Sequence, residues 1–152
     1  MNLEKTNQWL TFLANFGVIG GLLFLGYETQ QNTLQLRAEA SYSINEALSM
    51  VNSSIANDAV LADIVVRGEQ SLSSLNPTER KQFMAHEFDR VNLAIHVMAL
   101  ENDGLSEIHF PYVEFLADQY HRAPGLQEFL IDVEDTWKGS KELYDLLREE
   151  GQ

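Results

Sequence analysis

The stretch Trp9–Tyr27, WLTFLANFGVIGGLLFLGY, is the core of a longer segment, Thr6 to Tyr27, that contains no charged side chain. The 22 residues of this segment would form a helix about 33 Å long, which is enough to cross a hydrocarbon core of about 30 Å. Trp9 and Tyr27 stand near its two ends, where amphipathic rings favour the headgroup level, and we interpret them as interfacial anchors. The segment therefore predicts a single transmembrane helix.

Two other structures are compatible with an apolar segment near the N-terminus. A secretory signal peptide has a shorter apolar region followed by a small-residue cleavage site, whereas GYET follows here at positions 26–29, so we expect the segment to be retained. The buried core helix of a water-soluble protein is the second alternative, because glycines make the segment only moderately hydrophobic. These glycines are Gly17, Gly20, Gly21 and Gly26.

Small and polar residues within the segment favour contact with another helix. Gly17 and Gly21 have the spacing that lets two helices approach closely in lipid, and Ala14 adjoins them. Asn15 would need a partner for its amide in a bilayer. We therefore predict a helix-packing face at Ala14, Asn15, Gly17 and Gly21, although glycine is in any case common in transmembrane helices.

The overall charge excludes several function classes. Lys and Arg number 10 and Asp and Glu number 23, a formal net charge of −13, all of which belongs to residues 28–152 because Glu4 and Lys5 cancel. Such a charge argues against nucleic-acid binding and against attraction to anionic lipid. The chain has no cysteine, which excludes a disulfide scaffold and a thiolate metal site.

The fold class predicted from these patterns is all-α. We divide the chain into an N-terminal tail and transmembrane helix at 1–27 and an acidic, water-soluble helical domain at 28–152. Neither Pro nor Gly interrupts residues 28–56, so the membrane helix is predicted to continue to about residue 56 and to lead into a small antiparallel bundle.

Capping signals predict the helices that follow. Asn57 and Asp58 suit the start of a short helix through Val66, and Gly68 fits its end. Asn76-Pro77-Thr78-Glu79 is a strong helix start, and Asn102-Asp103-Gly104 a stop. The predicted packing seam of that helix is Met84, Phe88, Val91, Ile95 and Met98.

The last third of the chain contains weaker signals. Pro111 predicts the start or a kink of a helix ending near residue 122, and Ala123-Pro124-Gly125 reads as a turn. Gly139 and Ser140 are predicted to precede a final short helix. The aromatic side chains of this region are expected to belong to the core rather than to a cofactor pocket, and no cofactor is predicted.

Four short stretches resemble a set of bacterial membrane-anchored helical proteins of unknown function. Residues 31–38, QNTLQLRA, follow the predicted span as the Q-N-T-x-x-L-R-A-like stretch does in that family. Residues 57–62, 75–80 and 124–129 are similar to its N-P-E-L-A, L-S-x-E-E-R and P-G-x-x-x-W motifs. The resemblance covers nearly the whole chain and implies the topology of a membrane-anchored helical domain, without any catalytic residue.

The chain departs from that family at two positions, and the first of them affects the expected orientation. Gln30 stands where the family has a basic residue, and Leu130 replaces the second of its paired tryptophans. Lys5 on one side and Arg37 on the other nearly balance under the positive-inside rule. We expect the bacterial inner membrane with the domain on the cytoplasmic side, and the sequence leaves the orientation open.

Titratable residues offer one weak metal hypothesis. Asp118 and His121 have the i, i+3 spacing of carboxylate–histidine sites in bundles, and Glu114 lies one turn before. No second copy of the motif exists, so no metal is predicted there. Glu87 and Arg90 are interpreted as a surface ion pair, His86 as part of a polar face and His96 as a partly buried, hydrogen-bonded histidine.

These observations predict a non-catalytic accessory or scaffolding subunit of a larger membrane protein complex. Its expected partners are other integral membrane subunits, or copies of itself through the transmembrane helix. Two alternatives remain: a homo-oligomeric structural or sensory protein, and a small metal-dependent enzyme using Glu114, Asp118 and His121.

Overall fold

The computed structural model describes residues 3–105, 111–134 and 141–148, and within these ranges the secondary structure is helical, as the sequence predicts. In the part of the chain that the structure describes, six α-helices follow one another, with one short 3-10 turn at Leu72–Ser74. Their bounds are α1 Leu3–Ala56, α2 Ala59–Gln70, α3 Pro77–Asn102, α4 Tyr112–Arg122, α5 Pro124–Val133 and α6 Lys141–Arg148. The all-α fold class is confirmed.

Helix α1 ends where the sequence predicts, at Ala56. The chain divides into two compact units, Met1–Glu39 and Ala40–Gln152. This division concerns packing, whereas the predicted division at 27/28 concerns where a membrane would end, which packing does not test. The second unit contains the hydrophobic core.

The caps of α2 and α3 follow the sequence signals. Asp58 Oδ1 accepts hydrogen bonds from the backbone N–H groups of Val60 and Leu61 at 2.9 and 3.0 Å. Asn76 and Glu79 form a complete capping box, in which each side chain accepts a backbone N–H of the other residue. These bonds satisfy N–H groups that a helix start leaves without partners.

Two glycines that the sequence suggests as breakers lie inside helices. Gly68 does not end α2, which continues to Gln70, and Gly125 belongs to the first turn of α5 rather than to a loop. Both are buried at a close helix contact: a Cβ built on Gly125 would lie 1.7 Å from the Gly68 carbonyl oxygen. A Cβ on Gly68 would meet the Phe83 ring at 2.3 Å. The glycines are present because α2 and α5 approach too closely for any side chain.

The core lies among α2, α3, α4, α5 and α6, with the C-terminal part of α1 supplying Ile44. Phe129 of α5 is its aromatic centre, with edge-to-face contacts to Phe83 at 6.4 Å and to Phe88 at 5.6 Å between ring centroids. Tyr120 of α4 makes a third such contact at 6.4 Å. Because these rings come from three helices, their contacts define how the helices pack.

The buried face of α3 differs from the predicted seam. Val91 is buried as expected, but Met84, Phe88, Ile95 and Met98 are only partly buried. The face that packs inward instead includes Phe83, Glu87, Arg90, Ala94 and Val97. The heptad count went wrong because it assigned every charged residue to solvent, and two charged residues of α3 are in the core.

The Gly68–Gly125 contact generates a first prediction. Gly125→Ala should destabilise the domain by about 2 kcal/mol or more, because the added methyl group meets backbone rather than a movable side chain. The measurement is urea unfolding of the full-length protein followed by circular dichroism. Gly20→Ala is the matched control, since a Cβ at Gly20 meets nothing within 4 Å; equal midpoints for the two variants would contradict the contact.

Candidate functional site

The apolar segment of α1 exposes its side chains to the surroundings of the chain. Every large apolar or aromatic residue from Trp9 to Tyr27 is more than half exposed, from 51% at Phe12 to 71% at Leu23. One helix is long and apolar enough to cross a membrane, and no part of its most apolar window is buried inside the chain. This distinguishes the segment from the core helix of a water-soluble domain, which covers its apolar side chains with other helices.

The predicted helix-packing residues lie in the exposed part of this helix. Ala14, Asn15, Gly17 and Gly21 are all exposed. A Cβ at either glycine would meet nothing within 4 Å, so no contact inside the chain requires glycine at these positions. Asn15 forms no side-chain hydrogen bond with the residues that the structure describes. Ala14, Gly17 and Gly21 lie on one side of the helix and form a surface that can accept a second helix, whereas Asn15 lies about 120° away from Gly21 around the helix axis.

The predicted interfacial anchors are exposed as well. Trp9 packs edge-to-face against Phe12, with ring centroids 5.8 Å apart. The Tyr27 hydroxyl oxygen accepts a hydrogen bond from Gln31 Nε2 at 2.6 Å, so the polar end of its ring is bonded to the polar part of α1 that follows. An apolar ring with one hydrated polar end is what the headgroup level of a bilayer favours.

The second feature of interest is a charged network in the core of the domain. Glu87 of α3 is fully buried, and Arg90, one turn further along, is 7% exposed. Arg90 Nη1 donates to both carboxylate oxygens of Glu87, at 3.1 and 3.2 Å. The Tyr120 hydroxyl donates to Glu87 Oε2 at 3.0 Å. The carboxylate thus receives donors from two helices, which is the condition for burying a charge.

Arg90 connects α3 to the start and middle of α4. Its Nη2 donates to Gln119 Oε1, and its backbone carbonyl accepts the Tyr112 hydroxyl at 3.1 Å. Glu69 of α2 is its second carboxylate neighbour, with Nη1 and Oε1 3.9 Å apart. The guanidinium group therefore contacts side chains from α2, α3 and α4.

Burial and mutual attraction act in opposite directions on the pKa values of Glu87 and Arg90. Burial raises the pKa of Glu87, while the nearby guanidinium group of Arg90 opposes this. Burial is the largest single influence on the pKa of Arg90 and lowers it, but Glu87, Tyr120 and Tyr112 together exceed this effect and raise that pKa above its usual range. Burial raises the pKa of Tyr120 well above its ordinary value, so the hydroxyl keeps the proton that it donates to Glu87.

Sequence reasoning placed Glu87 and Arg90 on the surface, and this was wrong. A signal was present in the spacing: Phe83, Glu87, Arg90, Ala94 and Val97 follow one another at intervals of 4, 3, 4 and 3. This is a helix face in which charged residues occupy two core positions. This buried face could have been identified from the sequence only by allowing that an ion pair at i, i+3 can be buried when other helices supply hydrogen-bond donors.

The histidines are found in three different settings. His86 is buried, contrary to the predicted polar face, and its Nε2 has no hydrogen-bond partner among the residues described. His96 is exposed, with Nε2 3.2 Å from Ser43 Oγ, so its hydrogen bond is confirmed and its partial burial is wrong. His109 lies outside the described residues. His121 Nε2 lies 3.1 Å from the carbonyl oxygen of Leu146.

The three residues of the weak metal hypothesis do not form a common site. Asp118 Oδ1 pairs with Arg122 Nη2 at 2.6 Å, and His121 contacts the backbone of α6. Within the ranges that the structure describes, no group of three or more His, Asp or Glu side chains is placed to hold a metal ion. Spacing along a helix brought the residues to one side, but Asp118 and His121 contact different neighbours.

Comparison with known proteins assigns no family and no function to this chain. No protein-family model, curated protein or solved structure matches the chain. The resemblance seen in the short motifs stays a prediction.

The buried network generates a second prediction. Arg90→Met should cost about 3 kcal/mol or more of unfolding free energy, because it leaves the Glu87 carboxylate buried without its cation. The double variant Glu87→Gln with Arg90→Met should recover part of this loss, since the amide oxygen still accepts the Tyr120 hydroxyl. Urea unfolding measures both.

Arg122→Met is the matched control for this measurement. Its partner Asp118 and Arg122 itself are largely exposed, at 52% and 77% of their side chains, so the loss should stay within about 0.5 kcal/mol. If Arg90→Met and Arg122→Met unfold at the same urea concentration, the Glu87–Arg90 pair does not stabilise the core as described.

Proposed function

We propose that this protein is a single-pass protein of the bacterial inner membrane and a non-catalytic accessory or scaffolding subunit of a larger membrane complex. The observation that carries this proposal is the exposure of the apolar segment between Trp9 and Tyr27. Twelve large apolar side chains exposed on one helix are stable only when something apolar surrounds them. A bilayer provides that environment along the whole length of the segment.

The small residues of the segment support a protein partner within the bilayer. Lipid solvates apolar side chains well, so helices associate in membranes through close packing and hydrogen bonds instead. Gly17 and Gly21 offer close approach without any competing contact inside the chain. Asn15 offers an amide that would be costly to leave without a partner in hydrocarbon.

The helical domain supports docking more than it supports catalysis. Its negative charge suits a basic surface on a neighbouring subunit, which steers association and selects the partner. Two of its buried ionisable groups, Glu87 and Arg90, are engaged in joining helices. Asp118 and His121, the residues first considered for catalysis, are engaged in contacts that stabilise α4 and its neighbour.

Membrane fractionation tests the anchor. The full-length protein should sediment with membranes, resist an alkaline wash and dissolve only with detergent. Leu22→Arg should shift it towards the soluble fraction, because an arginine near the centre of the span costs about 3 kcal/mol of insertion free energy. Leu146→Arg in α6 is the control and should leave fractionation unchanged; a wild-type protein that is soluble without detergent contradicts the proposal.

Substitution of the glycine face tests the partner. Gly17→Leu with Gly21→Leu should release the protein from its complex, because two bulky side chains prevent close approach, while the circular dichroism of the domain is unchanged. Gly26→Leu is the matched control, since nine residues from Gly17 amount to about two and a half helical turns and place it on the opposite face. The measurement is co-purification from native membranes in a mild detergent.

Three outcomes of that experiment have distinct meanings. Equal retention of the double variant and the control places the interface elsewhere and contradicts the role of the glycines. A wild-type protein that runs as a single 17.3 kDa chain contradicts membership of a complex. A mass that is a multiple of 17.3 kDa, with no other protein present, supports the homo-oligomer instead.

A further inference from the structure

An open cavity of about 640 Å³ lies within the compact unit Ala40–Gln152. This volume falls in the range of small-molecule sites, about 300–1,000 Å³. Its described lining combines an apolar majority with a few polar groups that converge on the same space. The apolar and aromatic part includes Val51, Val65, Tyr112 and Phe115, and the polar part includes Glu69 and Arg90.

The positive charge on the cavity wall, that of Arg90, is already paired with other groups of the protein. Arg90 directs Nη1 to Glu87 and Nη2 to Gln119, so both of its terminal nitrogens donate to groups inside the protein. Glu87 behind it is neutralised by that contact and by the Tyr120 hydroxyl. An anionic ligand would therefore have to break a buried ion pair in order to reach the guanidinium group.

The negative charge of Glu69 is available. Its side chain is 33% exposed and lines the cavity, and it makes no hydrogen bond with any residue that the structure describes. Its ion-pair partner among the described residues is Arg90 Nη1, at the long distance of 3.9 Å, and that atom already donates to Glu87 at 3.1 Å. A carboxylate partly withdrawn from water without a hydrogen-bond donor is a group that a ligand could satisfy.

We propose that this cavity binds a small molecule that carries a protonated amine on an apolar, ring-bearing body. The ammonium group would donate to the Glu69 carboxylate, and the body would occupy the space between Val51, Val65 and Phe115. Counting Glu69, Glu87 and Arg90, the charged groups at this end of the cavity sum to −1, which favours a cation. The rings of Phe115 and Tyr112 add faces that attract an ammonium group.

His86 is consistent with a cationic ligand. Burial, reinforced by the positive charge of Arg90, lowers the pKa of this wall residue. Its ring is therefore neutral at pH 7 and adds no charge that would repel an amine. Its unsatisfied Nε2 is itself almost inaccessible, so the polar contact of the ligand is assigned to Glu69.

Binding of three matched probes to the full-length protein in detergent tests this proposal. The probes are 2-phenylethylamine, 2-phenylethanol and 3-phenylpropionate, which share a phenyl ring and differ in charge. Equilibrium dialysis against protein-free micelles corrects for partition into the detergent. We expect the amine to bind most tightly, the alcohol about tenfold more weakly because it lacks the charge-assisted hydrogen bond, and the carboxylate most weakly of all.

Two variants separate the carboxylate from the apolar wall. Glu69→Gln should weaken amine binding about tenfold and leave the alcohol unchanged, while Phe115→Ala should weaken both by a similar factor because both share the phenyl ring. Glu46→Gln removes an equal charge from an exposed position of α1 outside the cavity and should change neither affinity. Phe115 is 55% exposed, so its truncation should leave the fold intact.

Several results would overturn the proposal. These are no saturable binding of the amine, amine binding that is unaffected by Glu69→Gln, and carboxylate binding as tight as that of the amine. The last result would show that Arg90 rather than Glu69 is the available charge. Each readout is independent of membrane anchoring, so a failure here can be told apart from a failure of the proposed accessory role.

Discussion

The carboxylate of Glu87 is shielded from water, and the arrangement of α2, α3 and α4 depends on how that charge is satisfied. An isolated carboxylate would be far too costly to bury, so the fold requires a cation within hydrogen-bond distance and a further donor from another helix. Arg90 and Tyr120 meet these requirements. Because Arg90 in turn contacts Gln119 and lies near Glu69, one buried charge relates three helices to one another. A purely apolar core would leave their relative rotation less specifically defined.

The same network explains why the neighbouring cavity is apolar and offers a negative charge. Arg90 is bonded to Glu87 and Gln119, so the cavity wall offers a ligand the carboxylate of Glu69 and a set of apolar side chains. Burial raises the pKa of Glu69, which shows that this carboxylate also lacks full compensation. The stability of the fold and the proposed ligand preference are thus coupled. Because Arg90 has to pair with Glu87, the charge that remains available to a ligand is the negative charge of Glu69.

The two compact units satisfy their apolar side chains in different ways. Within Ala40–Gln152, large side chains such as Phe83, Leu126 and Phe129 are fully covered by other helices. Between Trp9 and Tyr27 the described residues of the chain supply no such cover, and the proposed function assigns that cover to lipid or to another protein. This contrast is the physical basis for assigning interaction with membrane components to the first unit and internal packing to the second.

The sequence by itself determined the features that depend on neighbouring residues. The 22-residue uncharged segment, the continuation of α1 to Ala56 and the capping box at Asn76 follow from local chemistry, which the chain carries wherever it folds. Only the tertiary structure decided the features that depend on residues distant in sequence. Gly68 and Gly125 are packing contacts rather than breakers because α2 and α5 meet there. Glu87 and Arg90 are core residues because Tyr120 and Gln119, about 30 positions further on, supply the hydrogen bonds that make their burial tolerable.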